Sequence, residues 1–234
     1  MRLDKFLADT GHGTRTDVKK LIRSGKVSVN GQVVSSPDRH IEPESDTVSV
    51  CGNKVFYREF IYLMLNKPQN YISATWDRKL PTVIDLLPQK YRIFDPFPVG
   101  RLDIDTEGLL ILTNDGKLSH ELLSPKKHVP KTYFAILDNP ASASDISAFA
   151  SGIVLDDGYK TLPAHLVISE NPVEVKLTIS EGKFHQVKRM FDAVGKKVIY
   201  LKRIKMNNLA LDSSLSLGEF KELSEEELKL LKGL

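Results

Sequence analysis

The sequence has 234 residues, of which 41% are hydrophobic and 27% charged, and its formal net charge is +3. This composition is ordinary for a globular protein of one or two domains and excludes a disordered or collagen-like chain. No apolar run approaches the roughly 18 residues of a membrane span, and the first residues lack the apolar stretch of a secretory signal. A single cysteine, Cys51, excludes an internal disulfide framework and fits a cytoplasmic location.

Basic residues are concentrated in two parts of the chain. Residues 1–58 contain ten Lys or Arg and seven Asp or Glu, and residues 181–205 contain eight basic and two acidic residues. One such cluster is often only a solvated face. Two of them in a small chain favour a polyanionic partner, most simply nucleic acid.

Residues 1–50 predict a small unit of two helices followed by short strands. Apolar residues recur at helical spacing from Leu3 onward. Thr14 is suited to cap a second helix, which we expect to end at Gly25. The dipeptide Asn30-Gly31 lies between alternating valines and predicts a β-hairpin.

The second predicted helix carries a basic ridge. Arg15, Lys19 and Arg23 are four residues apart and share one side of the helix, with Lys20 beside them. Such a ridge suits docking on a phosphate backbone. The alternative is an ordinary soluble helix, since Lys and Arg are good helix formers.

Residues 51–59 are expected to form a short linker, and strands and helices are mixed after it. The predicted strands are residues 61–66, 109–113, 131–137, 163–168, 173–180 and 198–205. The predicted helices are residues 82–87, 117–123, 143–151, 184–194 and 224–232. Because several strands follow one another after short turns, we predict an α+β fold with a mixed, mainly antiparallel sheet. The expected domains are residues 1–55 and 60–234.

Common nucleotide-binding and metal-binding signatures are absent. The sequence contains no G-x-x-x-x-G-K-[ST], no G-x-G-x-x-G and no G-x-S-x-G pattern. Its six histidines are scattered and, with one cysteine, offer no local zinc-ligand spacing. Chemistry driven by ATP, a dinucleotide or a metal is therefore disfavoured.

The densest group of reactive side chains lies in residues 100–108, just before an apolar strand. Two glycines bracket Arg101 and three carboxylates, Asp103, Asp105 and Glu107. Loops held by rigid strands are where catalytic groups concentrate. From composition alone, the segment also fits an ordinary polar turn in which Arg101 pairs with one of the acids.

The first fifty residues resemble the S4 RNA-binding domain. The segments that carry the resemblance are Arg2-Leu3-Asp4-Lys5-Phe6-Leu7, Thr14-Arg15-Thr16, Ile22-Arg23-Ser24-Gly25-Lys26-Val27 and Val29-Asn30-Gly31. The resemblance implies RNA binding through the basic helix and does not specify which RNA.

The rest of the chain resembles the pseudouridine synthases that join an S4 domain to the catalytic domain and modify ribosomal RNA. Gly100-Arg101-Leu102-Asp103, with Thr106 and Gly108, is similar to the catalytic signature of this family. Its other motifs follow in order, as Leu63 with Asn66-Lys67-Pro68, Lys131-Thr132-Tyr133, and the long segment from Leu177 to Met190. The resemblance is nearest to members that act on small-subunit (16S) rRNA.

This resemblance implies an isomerisation of uridine in which a carboxylate acts at the sugar–base junction as nucleophile or base. Asp103 takes the family's catalytic position. Asp105 and Glu107 are expected to shape the loop or face solvent, and Thr106 to cap the next turn. No cofactor and no metal is implied.

The supporting residues implied by the resemblance are Arg101, Tyr133, Leu177 and Lys188. Tyr133 would stack on the flipped-out uracil, Leu177 would form an apolar wall, and Arg101 would contact a phosphate or the rotated nucleotide. On a helix over residues 184–194, Lys188 lies at the edge of a core face that includes Phe184, whereas Arg189 points away from it. We therefore expect Lys188 to reach Asp103; the alternative is a boundary lysine.

Seven basic residues are expected to contact RNA, namely Arg2, Arg15, Lys19, Lys20, Arg23, Lys67 and Arg189. The expected partner is 16S rRNA, free or in an assembling small subunit, and a monomer is adequate for the reaction. Two alternatives remain, a synthase for large-subunit (23S) rRNA and a non-catalytic RNA-binding factor in ribosome assembly.

Overall fold

The computed structural model describes all 234 residues, which form two compact units. The first unit contains Met1–Ile61 and Leu87–Pro96, and the second contains Tyr62–Leu86 and Phe97–Leu234. The short segment Leu87–Pro96 packs with the N-terminal residues, where the Ile93 side chain lies against Gly11. No pattern in the sequence indicates this grouping.

The first unit is built from two helices and a small antiparallel sheet. Its elements are α1 (Leu3–Asp9), α2 (Arg15–Arg23), β1 (Val27–Val29), β2 (Gln32–Val33), β3 (Val48–Val50), β4 (Asn53–Val55) and, after the intervening strand β5 (Tyr62–Lys67) of the second unit, α3 (Gln89–Arg92). The strands pair in the order β2-β1-β3-β4. Thr14 caps α2 in a capping box with Asp17, as predicted, because the first free N–H groups of a helix need acceptors.

The expected linker over residues 51–59 is wrong, because all of it belongs to the first unit. Cys51 and Gly52 both have positive φ angles, 49° and 82°, and turn the chain so that β4 pairs with β3. Positive φ at both central residues is what a tight hairpin turn requires. Tyr57 then stacks on Phe6 with ring centroids 5.5 Å apart.

The second unit is an α+β domain around a nine-stranded mixed sheet, as predicted. Its strands besides β5 are β6 (Phe97–Pro98), β7 (Glu107–Thr113), β8 (Lys131–Leu137), β9 (His165–Ile168), β10 (Glu174–Ile179), β11 (Val198–Met206), β12 (Leu209–Ala210) and β13 (Phe220–Glu222). Its helices are α4 (Gly116–Leu123), α5 (Ala143–Ser151), α6 (Gln186–Asp192) and α7 (Glu225–Lys232), with short 3-10 turns at Val83–Leu86 and Pro125–Lys127. None of the helices is long and apolar enough to cross a membrane.

The main path of the sheet runs β13-β5-β7-β11-β8-β10-β9. All neighbouring pairs are antiparallel except β7 and β11, which are parallel. Every residue of β7 is buried, so this central strand reads in sequence as a continuous apolar run rather than an alternating one.

Gly108 allows the parallel strands β7 and β11 to meet. Its φ is +101°, and a Cβ atom at this position would lie 2.2 Å from the carbonyl oxygen of Arg203. Only glycine satisfies both conditions. The segment that ends at Gly108 is therefore fixed to the centre of the sheet.

Replacing Gly108 with alanine should lower the free energy of unfolding by about 3–4 kcal/mol, because the new methyl group adds a backbone clash to the strain of a positive φ. Gly158→Ala is the matched control, since Gly158 has a similar φ of +82° and open space around it. That variant should lose only about 1–2 kcal/mol. Equal losses in urea denaturation would show that the close approach of β7 and β11 is unimportant.

Candidate active site

A row of paired residues crosses the sheet and forms the floor of the candidate site. Side chains of directly paired residues point to the same face of a sheet. The row runs through β9, β10, β8, β11, β7 and β5 as Leu166, Leu177, Tyr133, Arg203, Gly108 and Lys67. The predicted residues Tyr133 and Leu177 are thus direct cross-strand neighbours, although they are distant in sequence.

The Asp103 loop, residues 100–106, connects β6 to β7 near the end of this row formed by Gly108 and Lys67. Within it the Thr106 N–H donates to the Asp103 carbonyl over 3.1 Å and closes a tight turn. Because β7 is fixed by Gly108, the turn is held next to the row. A single buried lysine, Lys67, donates hydrogen bonds to carbonyl groups of this loop.

Lys67 is the lysine beneath the Asp103 loop, and its side chain is fully buried. Its ammonium group donates to the carbonyl oxygens of Pro68, Asp103 and Thr106 over 3.0, 3.1 and 3.0 Å. An ammonium has three N–H donors, so each is used. The expectation that Lys67 contacts RNA is therefore wrong, because no part of it is accessible.

Burial lowers the pKa of the Lys67 ammonium to about 8, and the nearby carboxylates of Asp105, Asp103 and Glu107 act against this shift. At neutral pH the group is charged and uses all three donors. A buried cation that is hydrogen-bonded on every side holds a fixed geometry. Its position thus defines where the Asp103 backbone lies.

Two further contacts fix the Asp103 loop. The Asn70 N–H donates to the Ile104 carbonyl over 2.8 Å. The Ser73 hydroxyl donates to the Leu102 carbonyl, and the Leu102 N–H donates back to the same hydroxyl, each over 3.0 Å. Sequence reasoning missed both anchors, since they follow the Asn66-Lys67-Pro68 motif without any pattern of their own.

The Asp103 carboxylate lies between two side chains at the start of α6. The His185 Nε2 atom is 3.5 Å from Oδ1, and the Lys188 Nζ atom is 3.8 Å from Oδ2. The Asp103 side chain retains 31% of its exposure. This carboxylate is therefore reachable from solvent while a cation lies beside it, as a nucleophile or base requires.

Lys188 contacts Asp105 more closely than Asp103. Its ammonium is 2.7 Å from both carboxylate oxygens of Asp105. Burial acts to raise the pKa of Asp105, but the hydrogen bond and charge of Lys188 outweigh burial and lower it. One lysine thus connects two acids of the loop, which the sequence did not predict.

Thr106, the last residue of the loop, and Glu107, the first residue of β7, are both buried. Glu107 accepts a 2.6 Å hydrogen bond from the Tyr200 hydroxyl; burial and this contact raise the pKa of the Tyr200 phenol. Glu107 is therefore a loop-shaping residue and does not face solvent. The expected cap at Thr106 is wrong, because the residue is buried and its hydroxyl has no hydrogen-bond partner.

Helix α6 begins two residues later than predicted. His185 has a positive φ of 48°, so the helix starts at Gln186. Phe184 lies before it and is 75% exposed, so its expected core position is wrong. Arg189 is also not free to face RNA, since its guanidinium pairs with Asp156 and with Asp157, the latter at 2.7 Å.

Two further residues support the site without having been predicted, the buried Arg203 and the half-buried Glu181. Arg203 is 2% exposed and donates through Nε to the Leu109 carbonyl over 2.8 Å, while one terminal nitrogen has no partner. Glu181 accepts from the Gln186 side chain and the Leu162 N–H over 2.8 and 2.9 Å. The hydrogen bonds of Glu181 fix the segment that precedes α6.

The remaining predicted RNA-binding residues lie mostly at the surface. Arg15, Lys19, Lys20 and Arg23 are all exposed on α2. Arg2 is paired to Asp4, with Nη2 2.8 Å from Oδ2. In the second unit Arg101 is exposed next to Leu102.

Lys67→Met should lower the free energy of unfolding at pH 7 by about 3 kcal/mol, since the carbonyls of Pro68, Asp103 and Thr106 lose their donor. Folding lowers the pKa of Lys67 from 10.5 to about 8. Between these values the unfolded state binds more protons, so wild-type stability should rise with pH relative to the variant. Urea denaturation across this window measures both effects.

The matched control is Lys131→Met. Burial also lowers the pKa of Lys131 to about 8, but its ammonium donates to a single carbonyl, that of Val129, over 2.9 Å. The loss at pH 7 should be smaller than for Lys67. A difference between wild type and the Lys67 variant that stays flat from pH 8 to 10.5 would contradict the burial of a charged lysine under the loop.

Comparison with known proteins identifies the architecture. Residues 61–193 match the RNA pseudouridylate synthase family and residues 1–48 match the S4 domain. The chain is 52% identical to an uncharacterized RNA pseudouridine synthase of Bacillus subtilis, over 99% of this chain and 98% of that one. It is 41% identical to ribosomal small subunit pseudouridine synthase A of Escherichia coli, over 97% and 98% of the two chains.

A solved structure agrees with these relatives. A crystal structure of a pseudouridylate synthase matches 99% of both chains with a TM-score of 0.70 and 39% identity. The alternative of a non-catalytic RNA-binding factor is not supported by these matches. The chain belongs to the RNA pseudouridylate synthase family and is an isomerase that acts on RNA, with an S4 domain at its N-terminus.

Proposed function

We propose that the protein converts a uridine of small-subunit ribosomal RNA to pseudouridine, with Asp103 as the catalytic carboxylate. Support for the substrate comes from the relative of Escherichia coli that is named for the ribosomal small subunit. The observation that carries the catalytic assignment is the partly exposed Asp103 carboxylate, 3.5 Å from the His185 imidazole and 3.8 Å from the Lys188 ammonium.

The reaction needs a carboxylate and no external reagent. The N1–C1′ glycosidic bond breaks, the uracil rotates, a C5–C1′ bond forms, and the proton from C5 is balanced by protonation of N1. Asp103 acts on the sugar–base junction as nucleophile or base. Lys188 stabilises the charged carboxylate by its nearby positive charge, so it is a positioning residue in this proposal.

The row beneath the loop provides the pocket for the base. Tyr133 and Leu177 are paired on β8 and β10; Tyr133 retains 8% of its exposure, whereas Leu177 retains none. An enzyme that flips a base out of a stack must offset lost stacking, and a flat ring does this well. In this proposal the partly accessible Tyr133 ring contacts the uracil, and Leu177 lies directly opposite it on β10 as apolar support.

Residues 1–55 of the first unit bind the RNA, and the second unit, Tyr62–Leu86 and Phe97–Leu234, carries the chemistry. The support is the exposed ridge of Arg15, Lys19, Lys20 and Arg23 on α2. A row of exposed cations on one helix binds phosphates and releases counterions. Such contacts add affinity without selecting a sequence.

Asp103→Asn should abolish pseudouridine formation and leave RNA affinity within about twofold of wild type, because the shape is kept and only one surface charge is lost. Tritium release from rRNA labelled at uracil C5 measures the activity, and a binding isotherm measures the affinity. Asp105→Asn is the control for loss of an acid from the same loop and should keep measurable activity. If the Asp103→Asn variant keeps activity within about tenfold of wild type, the assignment of Asp103 as the catalytic carboxylate is refuted.

Removal of Lys19 and Lys20 should weaken RNA binding and flatten its salt dependence. With about 0.7 counterions released per contact on a single strand, the slope of log affinity against log salt should fall by about 1.4. A matched control removes Lys229 and Lys232, two exposed lysines on α7, and should leave the slope unchanged. Equal effects of the two double variants would mean that α2 has no specific role.

A further inference from the structure

Two exposed aromatic side chains flank the Asp103 loop, and the function proposed above does not use them. Trp76 and Phe184 are the most exposed aromatic residues of the second unit, at 74% and 75%. Large apolar side chains exposed to this extent mark interaction sites when they are grouped at one feature of a protein. Each of these two lies on a segment that contacts the Asp103 loop through a neighbouring residue, Ser73 for Trp76 and His185 for Phe184.

Trp76 lies on a preformed loop, residues 73–81, which we call the Trp76 loop. Its base is closed where Ile72 donates to the Pro81 carbonyl and accepts from the Val83 N–H, both over 3.0 Å. At the start of the loop, Ser73 exchanges two hydrogen bonds with Leu102, the residue before Asp103. The start of the Trp76 loop is therefore anchored at Leu102, at one end of the Asp103 loop.

The Trp76 loop is also rigid and positively charged. The Asp77 carboxylate accepts from the N–H groups of Lys79 and Leu80 over 2.8 and 3.0 Å, which fixes the turn after the indole. Arg78 and Lys79 are exposed on this turn. An indole beside two exposed cations suits a nucleobase with its phosphates.

Phe184 is connected to the other side of the loop through His185. The two rings are stacked, with centroids 3.8 Å apart and planes 19° from parallel. His185 in turn contacts Asp103 at 3.5 Å. One face of the Phe184 ring is thus covered by the His185 imidazole, which contacts Asp103. The other face is open for a base to stack on.

We propose that Trp76 and Phe184 are stacking sites for the two unpaired bases on either side of the target uridine, which deepens and rests on the function proposed above. When a uridine leaves the stack, the base on each side loses a neighbour, and aromatic rings replace that contact for any base. The Trp76 loop is hydrogen-bonded through Ser73 to Leu102, and the Phe184 ring stacks on His185, which contacts Asp103, so each ring lies on a segment next to the target site. The binding is tolerant of sequence, since every base has a flat face.

The experiment uses Trp76 as its own reporter, because it is the only tryptophan of the chain. The full-length protein is titrated with an oligouridylate of about ten nucleotides, which spans a single-strand site. Tryptophan emission should change and saturate in parallel with the anisotropy of labelled RNA. Emission that stays constant while the RNA saturates the protein would overturn the role of Trp76.

Variants separate stacking from general exposure. Trp76→Leu and Phe184→Leu should each weaken oligouridylate binding roughly five- to a hundredfold, whereas Trp76→Phe should stay near wild type, since a ring is retained. Ile199→Ala is the control, because Ile199 is 67% exposed on β11; it should change affinity by less than about twofold. Leucine variants that bind as tightly as wild type would overturn the proposal.

Steady-state kinetics on rRNA keep this proposal separate from the proposed function. The leucine variants should raise KM and leave kcat near wild type, in contrast to a loss of kcat in Asp103→Asn. If Asp103→Asn remains active, the catalytic assignment fails whatever the stacking variants do. If wild type is active and the leucine variants keep its KM, only the stacking sites fail.

Discussion

The site depends on one buried ammonium. Lys67 satisfies three carbonyl groups, of which two, Asp103 and Thr106, are in the Asp103 loop, and it has no exposed surface. Without the ammonium these carbonyl groups would lack a hydrogen-bond donor. Without the carbonyl groups the buried charge would be uncompensated, so the loop geometry and the charge stabilise each other. The consequence for function is that the Asp103 backbone is fixed before RNA arrives, which favours a carboxylate that is already aligned for reaction.

The sheet converts this local contact into a complete site. Its transverse row brings Leu177, Tyr133 and Arg203 into line with Gly108 and Lys67, so that strands distant in sequence supply the floor. Helix α6 then places Lys188 against two carboxylates of the loop. The same lysine both holds Asp105 and lends positive charge to Asp103, which ties the loop conformation to the charge of the proposed catalytic carboxylate.

Local patterns predicted the regular elements well. Strand β8 and helix α5 have the predicted bounds, because alternating and helical periodicities report burial on one face. The expectation that Lys188 reaches Asp103 came from helix geometry and from the family resemblance, and the two groups lie 3.8 Å apart; the catalytic role of Asp103 stays a prediction. Local patterns could not show that Lys67 and Arg189 are unavailable to RNA. Their partners Asp103 and Asp156 lie 36 and 33 residues away in sequence. Phe184 was misplaced because the left-handed residue His185 starts a new element, and no local rule signals that conformation at a histidine.

The most direct test of the account is a map of pseudouridine in the ribosomal RNA of cells that lack this protein. The account predicts that one position of 16S rRNA reverts to uridine, that the wild-type protein restores it, and that the Asp103→Asn variant at equal abundance does not. Loss of a position only in 23S rRNA would contradict the proposed substrate. An unchanged map, or restoration by the asparagine variant, would contradict the central claim that Asp103 performs the isomerisation.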